Sequence, residues 1–366
     1  MVFRPVLPAS ALCLFLAGGS LAIPGRALSQ GTPLPGLSQK LPGSEKTPAS
    51  APANPVPDLP ALQKAAASGD AASQLALANL IFSGNVKGAK PEDAAALLEK
   101  SADSGHAPAQ YALARFLQSG VAGVKADPER ATFLIQQAAE SGHAPSQAAY
   151  GALLMEQIDP KARDVGFAEP LQWFRKAADQ GEPGGMCRLG MMISAGQGVE
   201  ADPAAGWKWI SKAAQTGHPF ALNEVGICLQ QGRGVEKDPT AAIGYFHAAA
   251  DQANTAAMVN LGNCYRFGMG IPLDLNKAGA AFAAAAKANF GLGQLLLGEM
   301  FERGEGTTAN PVSAAVNYLR AAANGLPAGK ERFEGLKLKL SKRQIQEAEA
   351  ASNSGGPPGA VTPPNR

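Results

Sequence analysis

The sequence predicts an all-α protein: an α-α superhelix of seven two-helix repeats, with a leading half repeat before them and a C-terminal capping helix after them. Three observations carry this. A small turn residue returns at Gly69, Gly105, Gly142, Gly181, Gly217 and Gly325, with Ala253 and Asn289 in the same slot, at intervals of 36, 37, 39, 36, 36, 36 and 36. A pair of the type Leu-Gly returns in step with it: Leu77-Ala78, Leu113-Ala114, Tyr150-Gly151, Leu189-Gly190, Val225-Gly226, Leu261-Gly262 and Leu297-Gly298. Between the two landmarks lies room for two short helices, with a helix-start signal between them. Two independent landmarks sharing one period mark a stacked array, because a single pair of helices has no means of burying its own apolar face.

The elements follow in chain order. Residues 1–22 read as an export signal: Arg4 supplies the charge, Ala9 to Gly19 the apolar run, and Ser20-Leu21-Ala22 the small residues before a cut after Ala22, with Ala27 the second choice. The run ends at Pro24, short of the ~20 residues a membrane helix needs, and no later stretch is long and apolar enough to span a bilayer. Cys13 has bulky Leu12 before it, which argues against lipid attachment. Residues 23–58 are rich in proline and read as an extended, disordered linker. The half unit occupies Leu59–Ser68, and the seven full units run from Ser73 to about Ala328.

The unit that starts at Ala221 shows the logic. Leu222, Val225, Ile227, Cys228 and Leu229 form the apolar side of a first helix, and Gly232-Arg233-Gly234-Val235 ends it. Asp238-Pro239 opens the second helix. The carboxylate accepts from free backbone N–H groups, and proline at the first helical position loses no bond. Asp127, Asp202 and Asn310, each followed by proline, repeat this cap; Asp274 keeps the cap and loses the proline; Glu169-Pro170 and Lys90-Pro91 are weaker versions. In the second helix a large pair (Leu97-Leu98, Trp173-Phe174, Trp209-Ile210, Tyr245-Phe246) precedes alanines such as Ala177-Ala178 and Ala213-Ala214, which let neighbouring helices approach. Residues from Leu336 to 350 supply a closing helix with a capping box of Ser341 and Gln344, and residues 351–366 a disordered tail.

These residues resemble the Sel-1-like repeat, a relative of the tetratricopeptide repeat. Leu-Gly in the first helix, Gly198-Val199 and Gly234-Val235 in the loop, Asp-Pro at the second helix and "WFRKAADQG" from Trp173 to Gly181 carry the resemblance, which covers about 60–350. It implies an α-solenoid whose concave face binds a protein or peptide, and an adaptor role in a bacterial envelope, periplasmic or extracellular. Cysteine-rich relatives pair cysteines within each repeat. Cys187, Cys228 and Cys264 do not follow that pattern, and their odd number argues against a disulfide framework.

The remaining residues point to no chemistry. Net charge is +2, without the basic excess of a nucleic-acid binder. The metalloprotease, serine-hydrolase and phosphate-loop patterns are absent. The slot after the turn glycine holds Asp70, His106, His143, Glu182, His218, Asn254, Phe290 and Leu326, so histidine there reads as a helix cap rather than a metal ligand. His247 reads as a partly buried neutral side chain, and the cysteines as small buried hydrophobes. No cofactor or catalytic residue is expected. Candidate partner contacts are Asn260, Asn263, Arg266, Glu299 and Glu302, at helical spacing on first helices. The basic set Lys337, Lys339, Lys342 and Arg343 reads as a solvated face of the closing helix. The third unit is longer, with "EQIDPKARDVGFAEP" from Glu156 in place of the loop. An enzymatic or glycan-binding (peptidoglycan) role for that loop is the alternative to a scaffold.

Overall fold

The computed structural model describes residues 58–120, 124–158 and 166–353. The expected signal segment, nearly all of the linker, most of the tail and the centre of the third-unit loop lie outside them. Among the described residues there are seventeen helices and no strand. α1 (Leu59–Ala67) leads. Seven pairs follow: α2 (Ala71–Phe82) with α3 (Pro91–Asp103), α4 (Ala107–Ser119) with α5 (Pro128–Glu140), α6 (Ala144–Glu156) with α7 (Ala168–Asp179), and α8 (Pro183–Ala195) with α9 (Pro203–Ala214). Next come α10 (Pro219–Gln231) with α11 (Pro239–Ala250), α12 (Thr255–Phe267) with α13 (Leu275–Lys287), and α14 (Gly291–Arg303) with α15 (Pro311–Ala323). α16 (Pro327–Lys337) and α17 (Lys342–Asn353) close the array. The closing helix therefore starts at Lys342 rather than near Leu336, and runs three residues past 350.

Each joint is built as its residues dictate. Gly105, Gly142, Gly181 and Gly217 have φ of +83°, +90°, +81° and +79°. Ala253 (+61°) and Asn289 (+58°) take the same left-handed conformation without glycine's freedom, at a cost of ~1–2 kcal/mol for alanine. The second-helix caps form as expected: Asp127, Asp202, Asp238, Asp274 and Asn310 accept from the backbone N–H of Arg130, Ala205, Ala241, Lys277 and Ser313 at 2.9–3.0 Å. The same residues' own N–H groups donate back to the first helix, as Asp238 does to Leu229 O at 2.8 Å. Each cap is thus also a clasp between the two helices. At the weaker starts the details differ. The Lys90 N–H donates to Asp93 Oδ2 at 2.9 Å, so the acceptor is Asp93. α7 begins at Ala168, which places Glu169 and Pro170 inside its first turn. Proline is tolerated there because the first N–H groups of a helix have no partner to lose.

Inside each pair one contact sets the helix separation. The glycine of the Leu-Gly pair lies under a ring of the second helix. A Cβ at Gly226 would fall 2.6 Å from the Phe246 ring, one at Gly262 2.5 Å from Phe282, and one at Gly298 2.7 Å from Tyr318. Those three rings are fully buried. In the first two pairs the second-helix residue is aliphatic (Leu98, Ile135) and the first helix carries Ala78 or Ala114.

Curvature follows from which helices touch. Successive first helices pack directly at α2–α4, α6–α8, α8–α10, α12–α14 and α14–α16, whereas consecutive second helices up to α15 make no comparable contact. The first helices therefore line the inside of the curve.

Candidate functional site

The inner face is built from one face of α8, α10, α12 and α14. Arg188, Glu224 and Asn260 occupy one register position, 36 residues apart, in three consecutive units. Asn223 and Glu224 are buried. Asn260 Nδ2 donates to Asn223 Oδ1 at 2.8 Å, and Asn223 Nδ2 to Glu224 Oε1 at 3.3 Å. Arg233 lies 3.6 Å from Glu224 Oε2. Burial pushes the Glu224 carboxyl above its usual value, and Arg233 only partly offsets this.

Further along, Arg266 is 6% exposed and carries two partners: its Nε donates to Glu305 at 2.7 Å and its Nη1 lies 3.5 Å from Glu299. Arg332 of α16 reaches the other Glu299 oxygen at 2.8 Å. Burial works to raise the Glu305 pKa, but the hydrogen-bonded Arg266 guanidinium prevails and holds it low, with Arg303 adding to this. Tyr318 Oη donates to Glu302 at 2.6 Å, and Lys339 lies 3.9 Å from Glu302. Burial, and then the Glu302 hydrogen bond, push the Tyr318 phenol far up.

Of the five residues singled out in the sequence, Arg266 and Glu299 thus belong to one ion-pair chain joining the sixth unit, the seventh and α16. Glu302 ties α14 to α15, and Asn260 is bonded to the preceding unit. Asn263 alone is half-buried with no side-chain hydrogen bond among the described residues. Sequence reasoning missed Arg188, Asn223, Glu224, Arg233 and Glu305. The signal was present in the register: reading the Asn260 slot back by 36 finds Glu224, and by another 36, Arg188.

The histidines need a correction. His106, His143 and His218 do stand at N-cap positions, but no imidazole accepts a backbone N–H. His106 Nδ1 faces Ser101 Oγ at 3.2 Å, His143 Nδ1 faces Ser146 Oγ at 2.8 Å, and His218 Nδ1 is buried without a partner. At His106 and His143 a serine hydroxyl thus occupies the nitrogen that a cap would use. Asp70, Glu182 and Asn254 in the same slot do cap. Burial lowers the pKa of His143, with the nearby His106 adding to this, and burial lowers that of His218. Among the described residues no three His, Cys, Asp or Glu side chains gather as metal ligands. Cys187, Cys228 and Cys264 are buried and unpaired. Burial raises all three thiols, Cys264 to about 11. His247 is half-buried, its Nε2 3.4 Å from Tyr265 Oη.

The model of the Sel1 repeat matches residues 71–106, 107–143, 171–182, 183–218, 219–254, 255–290 and 286–326, together more than half of the chain. The chain belongs to the Sel1 repeat family. Of the third unit only residues 171–182 match, beginning in its second helix after the long loop. Among solved structures, the chain is similar to a protective antigen of uropathogenic Escherichia coli displaying an SLR fold, with 27% identity and a TM-score of 0.47. That match covers 82% of this chain and 64% of the antigen. It is also similar to a Sel1 repeat protein from Oxalobacter formigenes (24% identity, TM-score 0.46, 81% of this chain and 86% of that one). A putative Sel1 repeat protein from Klebsiella pneumoniae matches at 21% identity and a TM-score of 0.33, over 66% of this chain and 99% of that one. No curated protein matches the chain. Sel1 repeat proteins are typically protein-interaction scaffolds.

Proposed function

We propose that this Sel1 repeat chain is an exported, non-enzymatic scaffold that holds a protein or peptide partner against the inner face of its array, at the fourth to sixth units. One observation supports this above the others. Among the described residues, Arg188 and Asn263 present polar groups on that face with no hydrogen bond or ion pair, while their neighbours Asn223, Glu224 and Arg266 are buried and bonded. A face that satisfies most of its polar groups internally and leaves a few open is suited to recognition by a partner's main chain and side chains. Placement outside the inner membrane, in the periplasm or beyond, belongs to the same reading and rests on the segment from Arg4 to Ala22.

The test is capture from envelope extract by the full chain, compared with Asn263→Ala/Arg188→Ala and with an outer-face control, Lys208→Ala. A partner retained by the control and lost by the inner-face variant supports the reading. A partner that ignores both sinks the inner face as the binding surface. N-terminal sequencing of the secreted form tests the export step, with Ile23 the expected first residue.

A further inference from the structure

Arg188, Arg233 and Arg266 stand in the fourth, fifth and sixth units, and they differ in one respect. Arg266 is paired with Glu305 and Glu299. Arg233 is paired with Glu224. Arg188 has no carboxylate within ion-pair distance and donates no hydrogen bond among the described residues; its guanidinium instead lies 5.2 Å from the Phe220 ring centre and 5.8 Å from that of Phe174. Among the described residues three carboxylates act on it through their charge, Glu156, Glu182 and Glu224, and none of them lies within ion-pair distance. Glu182 caps α8 through the N–H groups of Gly184 and Gly185. Glu224 is engaged by Arg233 and Asn223. Glu156 is exposed at the end of α6. Burial pulls the Arg188 pKa below its ordinary value, and the surrounding carboxylates do not restore it.

Two rings beside a guanidinium limit its freedom and leave its planar fork of N–H donors open. Such a fork matches a carboxylate with two parallel hydrogen bonds. The half-buried apolar shoulders Phe220 and Met191 flank it on the same face.

We propose that Arg188 is the anchor of a peptide subsite on the inner face, and that its occupant is an extended segment of a partner carrying an aspartate or glutamate side chain between apolar residues. The proposal rests on the scaffold reading and gives the partner its chemistry. Charge complementarity selects the occupant, because among the described residues no carboxylate forms an ion pair with Arg188, whereas Arg233 and Arg266 each have one. The apolar neighbours follow from Phe220 and Met191, which offer area but no hydrogen bonds.

The experiment uses three fluorescent dodecapeptide pools against the full chain. The first is acetylated and amidated with a fixed central glutamate between randomised apolar positions. The second carries glutamine at that position. The third has no acidic side chain but a free C-terminal carboxylate. The expected result is binding of the first pool at least tenfold tighter than the second, with the preference abolished in Arg188→Gln and retained in part in Arg188→Lys. Thermal melts of both variants should match the parent within a few degrees. Arg188→Glu should reverse the preference in favour of a central lysine. Equal binding of the first two pools, with both weakened by Asn263→Ala, overturns the Arg188 assignment and leaves the scaffold reading standing. Binding of the third pool alone assigns the site to a chain terminus and overturns the side-chain proposal. Absence of binding by every pool, together with a captured partner indifferent to inner-face variants, overturns both.

Discussion

The first two units and the last four solve the same packing problem with different parts. In the first two, alanine in the first helix meets an aliphatic residue in the second: Ala78 with Leu98, Ala114 with Ile135. From the fifth to the seventh, glycine meets a buried ring. The fourth is intermediate, with Gly190 under Ile210 and against the Gly206 carbonyl. Contact between units differs as well. In the fourth to seventh units the second glycine of the loop rests on the start of the preceding second helix: Gly234 against the Pro203 carbonyl, Gly270 against Pro239, Gly306 against Leu275 and Gly198 against Phe167. Among the described residues of the first three units no glycine makes this contact. The core divides accordingly. One apolar cluster runs from Ala78 to Ile135 and another from Ala152 to Ala348, and α6 lies between them, with Tyr150 and Leu153 on the first and Ala152 and Met155 on the second. A repeat array therefore need not be uniform along its length, since each unit answers only to its neighbours.

The largest expected effect tests that division. Phe282→Ala empties a fully buried site and should cost ~3–5 kcal/mol. If the two clusters are separate cooperative units, calorimetry of this variant shows an early transition for the later units and an unshifted one for the first two. A single transition that moves as a whole would merge the two regions into one unit. A subtler break comes from the key itself. Gly262→Ala forces a methyl against the Phe282 ring and should cost ~1–3 kcal/mol. Adding Phe282→Leu recreates the pairing of the first two units, and should recover part of that loss as a favourable coupling in a double-mutant cycle. Additive losses would show that the pairing of glycine with ring is incidental.

Much of this was legible in the sequence because repetition gives each signal several chances to be seen. The turn glycines, the Asp-Pro caps and the capping box of Ser341 and Gln344 (Gln344 N to Ser341 Oγ at 3.3 Å, Ser341 N to Gln344 Oε1 at 2.9 Å) are local chemistry, readable within four residues. What was not legible is what joins units. The second loop glycine looks like another turn former in the sequence, and only in three dimensions does Gly234 prove to rest on a carbonyl 31 residues earlier. The pairing of Arg266 with Glu305 spans 39 residues, and the sequence alone offers Arg266 only as a candidate partner contact and does not single out Glu305. Arg188 was legible in part: its slot is the Asn260 slot, but that no carboxylate among the described residues pairs with it depends on where Glu156, Glu182 and Glu224 are held.

Buried charge sharpens the contrast. Among the described residues, the charged side chains that are buried, Glu224 and Arg266, both lie in the later units; the buried polar residues of the first three are glutamines and serines. Because the folded-state pKa of Glu224 is raised above its usual 4.5, the folded chain binds a proton more tightly than the unfolded one. The resulting penalty is absent below 4.5 and grows as pH rises through the folded value, so ionised Glu224 costs stability at neutral pH. Glu224→Gln should remove that cost, raising the melting temperature of the later transition at pH 7 and flattening its dependence between pH 4.5 and neutrality. An unchanged pH profile in the variant would show that the Arg233 pair compensates the burial in full.

The smallest effect concerns the turn slot, which holds glycine in the first five joints and departs from it only in the later units, at Ala253 and Asn289. Ala253 holds φ of +61° with a Cβ in place, whereas asparagine visits that region readily. Ala253→Gly should therefore stabilise by ~0.5–1 kcal/mol, the relief of strain being partly offset by the greater freedom glycine gives the unfolded chain. Asn289→Gly should change stability by less, and Gly217→Ala, one joint earlier, should lose about what Ala253→Gly gains. Urea denaturation of the three variants settles the order. If Ala253→Gly proved neutral while Gly217→Ala was costly, the later joints would have adapted to the side chain, and the two regions would differ in their turns as well as in their cores.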